Sequence, residues 1–155
     1  MSLNGHMLDV GNVAKALLGQ DATPRWRFVL ANTMGVNADT LVDWLPWVVA
    51  LHDIGKISAP FQEQNEKQRE RLTAEGFSFG MRRWNGEPHH SLVSQASLGW
   101  EFRERGFPKR FLRMWRDSAG GHHGRFSSNE EIRDALICLR REPAEWKVWR
   151  FEVAE

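Results

Sequence analysis

The sequence has no tyrosine and one cysteine, Cys138. A single thiol forms no internal disulfide and builds no thiolate zinc site, so neither can stabilise the fold. A chain without disulfides fits a reducing cytoplasm. No apolar run approaches the roughly 18 residues of a membrane span. Residues 1–20 lack the basic start and small-residue cleavage site of a secretory leader. Neither sign of charge dominates: 21 Lys and Arg stand against 20 Asp and Glu, a formal net charge of +1. A surface basic all over is excluded, and any basic patch must be local. There are no repeats and no low-complexity segments. The expectation is a cytoplasmic chain with no membrane partner. It should form a single domain over 1–155, long enough for a real core. Met1-Ser2-Leu3 reads as a leader left by cloning, which would make the chain a fragment.

Tryptophan and phenylalanine are plentiful, at eight and nine residues. Most should be core, although tryptophan also offers a stacking face to bases. The apolar spacing is helical along most of the chain. Residues 7–18 put Met7, Val10, Val13, Ala14, Leu17 and Leu18 on a repeating face before Gly19, with His6 just ahead. Residues 24–34 open on Pro24 and predict a second helix. Asp39 can cap a third, which Pro46 should kink or divide. The run Trp47–Leu51 is apolar on every face and reads as a buried helix ending at Gly55. A polar helix is predicted over 60–72, and others over 89–105, from Pro108 onward, and over 128–141. Gly120-Gly121-His122-His123-Gly124 should break the one that starts at Pro108. The glycine-rich stretch 73–88 reads as a loop with a small hairpin. The tail to Glu155 stays unclassified, though alternation at 146–153 would suit a strand. The fold class is all-α.

The segment Val48-Val49-Ala50-Leu51-His52-Asp53-Ile54-Gly55-Lys56 ends an apolar run on two adjacent metal-ligand side chains. The six histidines are His6, His52, His89, His90, His122 and His123. Each lies at a helix boundary or a glycine-rich break. A lone histidine is more often structural than a ligand, but this clustering favours metal. Imidazole suits iron, nickel, cobalt, zinc or copper, and carboxylate can bridge two ions. A carboxylate among histidines suits a catalytic centre with open positions. Two metals about 3.5–4 Å apart would activate water and stabilise both oxygens of a phosphoryl displacement.

In order and rough spacing, His6, Leu51-His52-Asp53-Ile54-Gly55-Lys56, His90 and His122-His123-Gly124 resemble the HD superfamily. More narrowly, the chain is similar to the HD nuclease domain of the CRISPR-associated type I interference helicase-nuclease. The His-His-Gly string, the histidine about thirty residues before it, and Phe61-Gln62 carry that narrower resemblance. It covers roughly residues 6–126 and implies an HD-superfamily helical bundle. It also implies one or two divalent ions (Ni, Co, Mn or Fe, with Mg as a further option). By this resemblance Asp53 would bridge two metals. His6 and His52 would hold the first, and His90, His122 and His123 the second. Lys56 would contact the scissile phosphate as a point charge. His89 lies outside the pattern and reads as a neighbour or outer-layer group. Ser94, one turn after His90, either bonds the site or simply packs.

One feature departs from the pattern. The family completes the first metal site with an Asp well downstream of His-His-Gly. Here 32 residues follow His123, and Asp134 is the one Asp among them. The expectation is that the chain stops short of that Asp or that the segment is rearranged, leaving the first site weak or empty.

Residues 101–116 interleave Arg103, Arg105, Lys109, Arg110, Arg113 and Arg116 with Phe107, Phe111 and Trp115. They read equally as a core stripe with a solvated face or as a single-strand binding surface. Arg125, Trp84, Arg82 and Arg83 are better candidates for DNA contact because they flank the histidines. The resemblance implies a metal-dependent nuclease on single-stranded DNA in antiviral defence. It would work with a helicase domain or subunit and an RNA-guided CRISPR surveillance complex. The alternatives are an HD phosphohydrolase on nucleotides, or a degenerate HD scaffold that binds a partner.

Overall fold

The computed structural model describes residues 2–19, 24–80, 88–104, 106 and 109–154. Among them are nine α-helices, one 3₁₀ helix and no strand, so the all-α expectation holds. No helix of the described residues is long and apolar enough to cross a membrane. The backbone divides into two compact units, residues 1–51 and 52–155.

In the first unit α1 is Leu3–Leu18, α2 is Pro24–Met34 and α3 is Ala38–Ala50. Helix α1 starts earlier than its apolar spacing indicates, because Ser2 Oγ accepts from Gly5 N at 3.1 Å and caps the end. His6 therefore lies inside the helix rather than ahead of it. Leu18, Ala31 and Leu41 form the core between the three helices, with Leu30, Met34 and Val42 packed against them. Asn37, not Asp39, caps α3: its Oδ1 accepts from Asp39 N at 2.7 Å. Helix α3 also runs through Pro46 instead of dividing there. Pro46 is buried, and packing holds the turn that its missing N–H would otherwise weaken.

From Leu51 the chain tightens into a 3₁₀ helix, Leu51–Lys56, which passes through Gly55 rather than ending there. The second unit continues with α4 (Ala59–Glu63), α5 (Glu66–Ala74), α6 (His90–Glu104), α7 (Lys109–Gly121), α8 (Asn129–Arg141) and α9 (Ala144–Val153). The single helix expected over 60–72 is two, because Asn65 Oδ1 accepts from Gln68 N at 3.1 Å and restarts the turn. No strand forms over 73–80, and the remainder of the expected hairpin, 81–87, lies outside the described residues.

Helix α6 packs against α7 and α8. Val93, Ala96, Leu98, Trp115, Ala119, Ile132 and Ala135 are buried. Helix α7 ends at Gly121, within the glycine-rich stretch expected to break it. A Cβ on Gly120 would lie 2.2 Å from Gln95 Oε1, so this glycine also permits close approach of α6 and α7. Ser128 and Glu131 form a reciprocal capping box at α8.

The tail that the sequence leaves unclassified is α9, Ala144–Val153, and not the strand its alternation would suit. Its inner face carries Trp146 and Arg150, one turn apart and both buried. A charged residue on the core side hides the four-residue period from a hydropathy reading. Trp146 stacks between Phe77 and Phe79, with ring centroids 4.9 and 5.2 Å away, and its Nε1 donates to Ser78 O at 2.7 Å.

Candidate metal centre

The turn after α7 and two neighbouring elements of the second unit, the 3₁₀ helix and the first turn of α6, build the centre. The last two approach closely at Gly55. A Cβ there would lie 2.1 Å from His90 O and 2.4 Å from Ser94 N, so any side chain would force the elements apart. Gly55 N donates to the buried Ser94 Oγ at 2.9 Å. This gives Ser94 its role: it fixes the backbone two residues after Asp53 and sets Asp53 against His90.

Asp53 is 3% exposed and receives side chains from three directions. His52 Nε2 lies 3.3 Å from Oδ2, and Lys56 Nζ donates to the same oxygen at 2.7 Å. His90 Nε2 and His122 Nε2 lie 3.3 and 3.4 Å from Oδ1. Burial disfavours the charge on Asp53. Hydrogen bonds from His52, His90 and Lys56 outweigh it and hold the carboxyl far below the usual range.

His122 follows the end of α7, where its Nδ1 meets the Ala119 carbonyl at 2.5 Å. A carbonyl only accepts, so Nδ1 carries the proton. Burial lowers the His122 pKa, against the Ala119 bond, which raises it; neighbouring His123 lowers it further. In the neutral ring the Nε2 lone pair therefore faces Asp53 Oδ1. Two acceptors 3.4 Å apart fit a cation between them. Donor separations of about 3.0–3.4 Å are also the edges of a coordination shell with bonds of about 2.0–2.2 Å. The residues present thus fit a divalent ion held by Asp53, His90 and His122, whose ligand atoms lie within 4.8 Å of one another.

His123 Nε2 lies 3.0 Å from His90 Nε2. It groups with His90 and His89 rather than with Asp53. Burial lowers the His89 pKa first, followed by repulsion from His90 and His123. His6 belongs to the first unit, half-buried in the first turn of α1. Asp134 is exposed on α8 and joins none of the described ligand groups.

Two residues noted only for their place in a motif do specific work. Phe61 lies against the His90 ring, with centroids 5.4 Å apart. Gln62 Nε2 donates to Lys56 O at 2.7 Å. Sequence reasoning missed Glu142 and Arg150 altogether. Glu142 Oε1 accepts from Ala59 N at 2.7 Å, and Arg150 Nη1 donates to Ile57 O at 2.5 Å. Together they hold the chain just beyond Lys56.

Among the DNA-contact candidates, Arg82, Arg83 and Trp84 lie outside the described residues. Arg125 is exposed and paired with Glu131. The stripe in α7 resolves toward core: Trp115 is 4% exposed, with Phe111 stacked on it at 5.6 Å.

The family model for Cas3, HD domain, matches residues 1–155. The chain belongs to this family. The CRISPR-associated endonuclease/helicase Cas3 of Thermus thermophilus is 34% identical over 146 residues, covering 94% of this chain and 15% of that protein. The chain thus spans about 15% of the curated relative's length. A crystal structure of a CRISPR-associated protein superposes with a TM-score of 0.82 at 27% identity, over 98% of this chain and 17% of the other. The Thermus thermophilus Cas3 HD domain, crystallised in the presence of Ni2+, gives 0.70 at 28% identity, over 98% and 56%. The helical HD fold expected from the His-Asp motif is the fold observed.

Proposed function

We propose that this chain is a metal-dependent nuclease domain that cleaves single-stranded DNA during CRISPR interference. The observation that carries the reading is the buried Asp53 carboxylate facing His90 and His122, with Lys56 on its other oxygen. His52, Asp53, His90, His122 and His123 would hold one or two divalent ions. A donor set rich in imidazole favours Ni, Co or Fe over Mg, and the Asp53 carboxylate also admits Mn. Such an ion supplies Lewis acidity, activating water toward phosphorus and neutralising phosphate charge.

The chain's own groups do the rest. Asp53 stays ionised, held so by its hydrogen bonds. Lys56 offers a point charge to the scissile phosphate. Gln62 fixes the Lys56 backbone, Phe61 buttresses His90, and the Ala119 carbonyl sets the His122 tautomer. Arg125, together with Arg82, Arg83 and Trp84, would contact the strand by charge and stacking. The cytoplasmic partners would be a helicase region, as in the curated relative's name, and an RNA-guided surveillance complex that exposes the strand.

The test incubates the chain with circular single-stranded DNA and Mn2+, Co2+, Ni2+ or Mg2+. Cleavage is expected with the transition metals, lost in Asp53→Ala, and much faster than hydrolysis of deoxynucleoside triphosphates. No cleavage with any metal, or preferential turnover of the triphosphates, would overturn the reading.

A further inference from the structure

Three imidazoles lie together on the solvent side of Asp53 without a carboxylate among them. His123 Nε2 is 3.0 Å from His90 Nε2. The His89 ring lies 4.2 Å from the His90 ring and 4.9 Å from the His123 ring, centre to centre. One ligand atom from each of the three falls within 4.8 Å of the others. The buried Ser91 hydroxyl, 2.9 Å from His89 Nδ1, holds the outermost ring in place. His89 and His123 are exposed, so an ion can enter from solvent.

We infer that His89, His90 and His123 form an alternative all-nitrogen site, overlapping the Asp53 set, for a late transition ion of the Zn2+ or Cu2+ kind. Three neutral imidazoles with an open fourth position are a common zinc environment. Mg2+ and Mn2+ prefer oxygen donors and gain little there. His89 is the residue that creates the site, because without it His90 and His123 are only a pair. His90 and His123 are shared with the set proposed above, and His90 also faces Asp53 at 3.3 Å. One imidazole nitrogen binds one ion at a time, so an ion held by His89, His90 and His123 takes both from the Asp53 set. Zn2+ therefore opposes the ion that Asp53 holds. The site stands on the three histidines alone; only its effect on cleavage rests on the nuclease reading.

The experiment titrates the full chain with Zn2+ and, separately, Mn2+ by calorimetry. Asp53→Ala is expected to lose Mn2+ binding and keep one equivalent of Zn2+. Adding His89→Ala should weaken that Zn2+ binding by at least about tenfold. Zn2+ binding that is indifferent to His89→Ala, or absent from a folded Asp53→Ala chain, overturns the inference. Circular dichroism checks folding. If Asp53→Ala does not fold, His89→Ala alone decides: it should lose one Zn2+ equivalent and leave the Mn2+ isotherm unchanged, and an unchanged Zn2+ stoichiometry overturns the site. Cleavage of single-stranded DNA is scored separately. A chain that binds Zn2+ through His89 but cleaves nothing keeps this site and loses the nuclease reading.

Discussion

Arg150 Nη1 donates to the carbonyl of Ile57, 93 residues earlier, at 2.5 Å. Its other nitrogen meets Glu142 Oε2 at 2.6 Å, and Glu142 Oε1 accepts from Ala59 N at 2.7 Å. One buried ion pair thus grips both sides of Ser58, directly after the segment that carries His52, Asp53 and Lys56.

Removing Arg150 should cost far more than removing both partners. Arg150→Ala leaves the Glu142 charge buried without its partner, a loss of about 3–5 kcal/mol. Glu142→Leu combined with Arg150→Met should recover most of it, because an apolar pair needs no desolvation of charge. Urea denaturation of the three chains checks this. A double variant no more stable than Arg150→Ala would show that the pair acts otherwise.

The same pair makes a pH prediction. Burial raises the Glu142 pKa, while Arg150 and the Ala59 N–H pull it back. A carboxyl raised in the folded state contributes most below its unfolded pKa, and that contribution is lost as pH rises through the folded value. The destabilisation of Arg150→Ala should therefore shrink on acidification, since a protonated Glu142 needs no counter-charge. Melting curves of variant and parent from pH 7 down toward 5 read the difference. A gap that widens toward acid would contradict it.

His122 predicts the opposite trend for the parent chain. Burial holds its pKa below the ordinary 6.5. A group depressed in this way contributes stability above its unfolded pKa and loses it as pH falls through the folded one. In chelator, the chain should lose stability as pH drops below about 6.5, and His122→Asn should flatten that slope. Thermal melts against pH test this, and parallel slopes would count against it.

Gly55→Ala should damage the centre without touching any ligand. Its Cβ meets backbone of α6, which cannot rotate away as a side chain could. The expected cost is about 1–3 kcal/mol, with weaker Mn2+ binding as Asp53 and His90 separate. Ser94→Ala should cost about 1–3 kcal/mol, because the Gly55 N–H is left buried without its acceptor. Calorimetric Mn2+ affinity together with melting temperature measures both effects.

Metal should stabilise the folded chain in proportion to its affinity. At a hundredfold excess over Kd the gain is about 2.7 kcal/mol. Ni2+ or Mn2+ should raise the melting temperature, EDTA should reverse the rise, and Asp53→Asn should abolish it. A shift that survives Asp53→Asn with Mn2+ would mean that the oxygen-bearing centre lies elsewhere.

The sequence by itself determined the helical class and the family, and it named the residues proposed for the centre. Helical spacing at Met7, Val10, Ala14 and Leu17, or at Ile132, Ala135 and Leu136, is a local property that packing only has to accept. Likewise His52-Asp53, His90 and His122-His123 are recognisable because metal chemistry restricts which side chains can serve. Tertiary structure decided what those residues face. Only the fold shows that Ala119 fixes the His122 tautomer, that Gly55 is a contact rather than a stop, and that His123 turns toward His89. The α9 tail shows no clear helical stripe in the sequence because its inward residue, Arg150, is charged. Its partners Ile57 and Glu142 are distant in sequence, or two turns back across a helix start, and no periodicity marks them. Hydropathy registers a side chain's own preference for water. It does not register a buried carboxylate that cancels a charge, and that pairing exists only once the chain is folded.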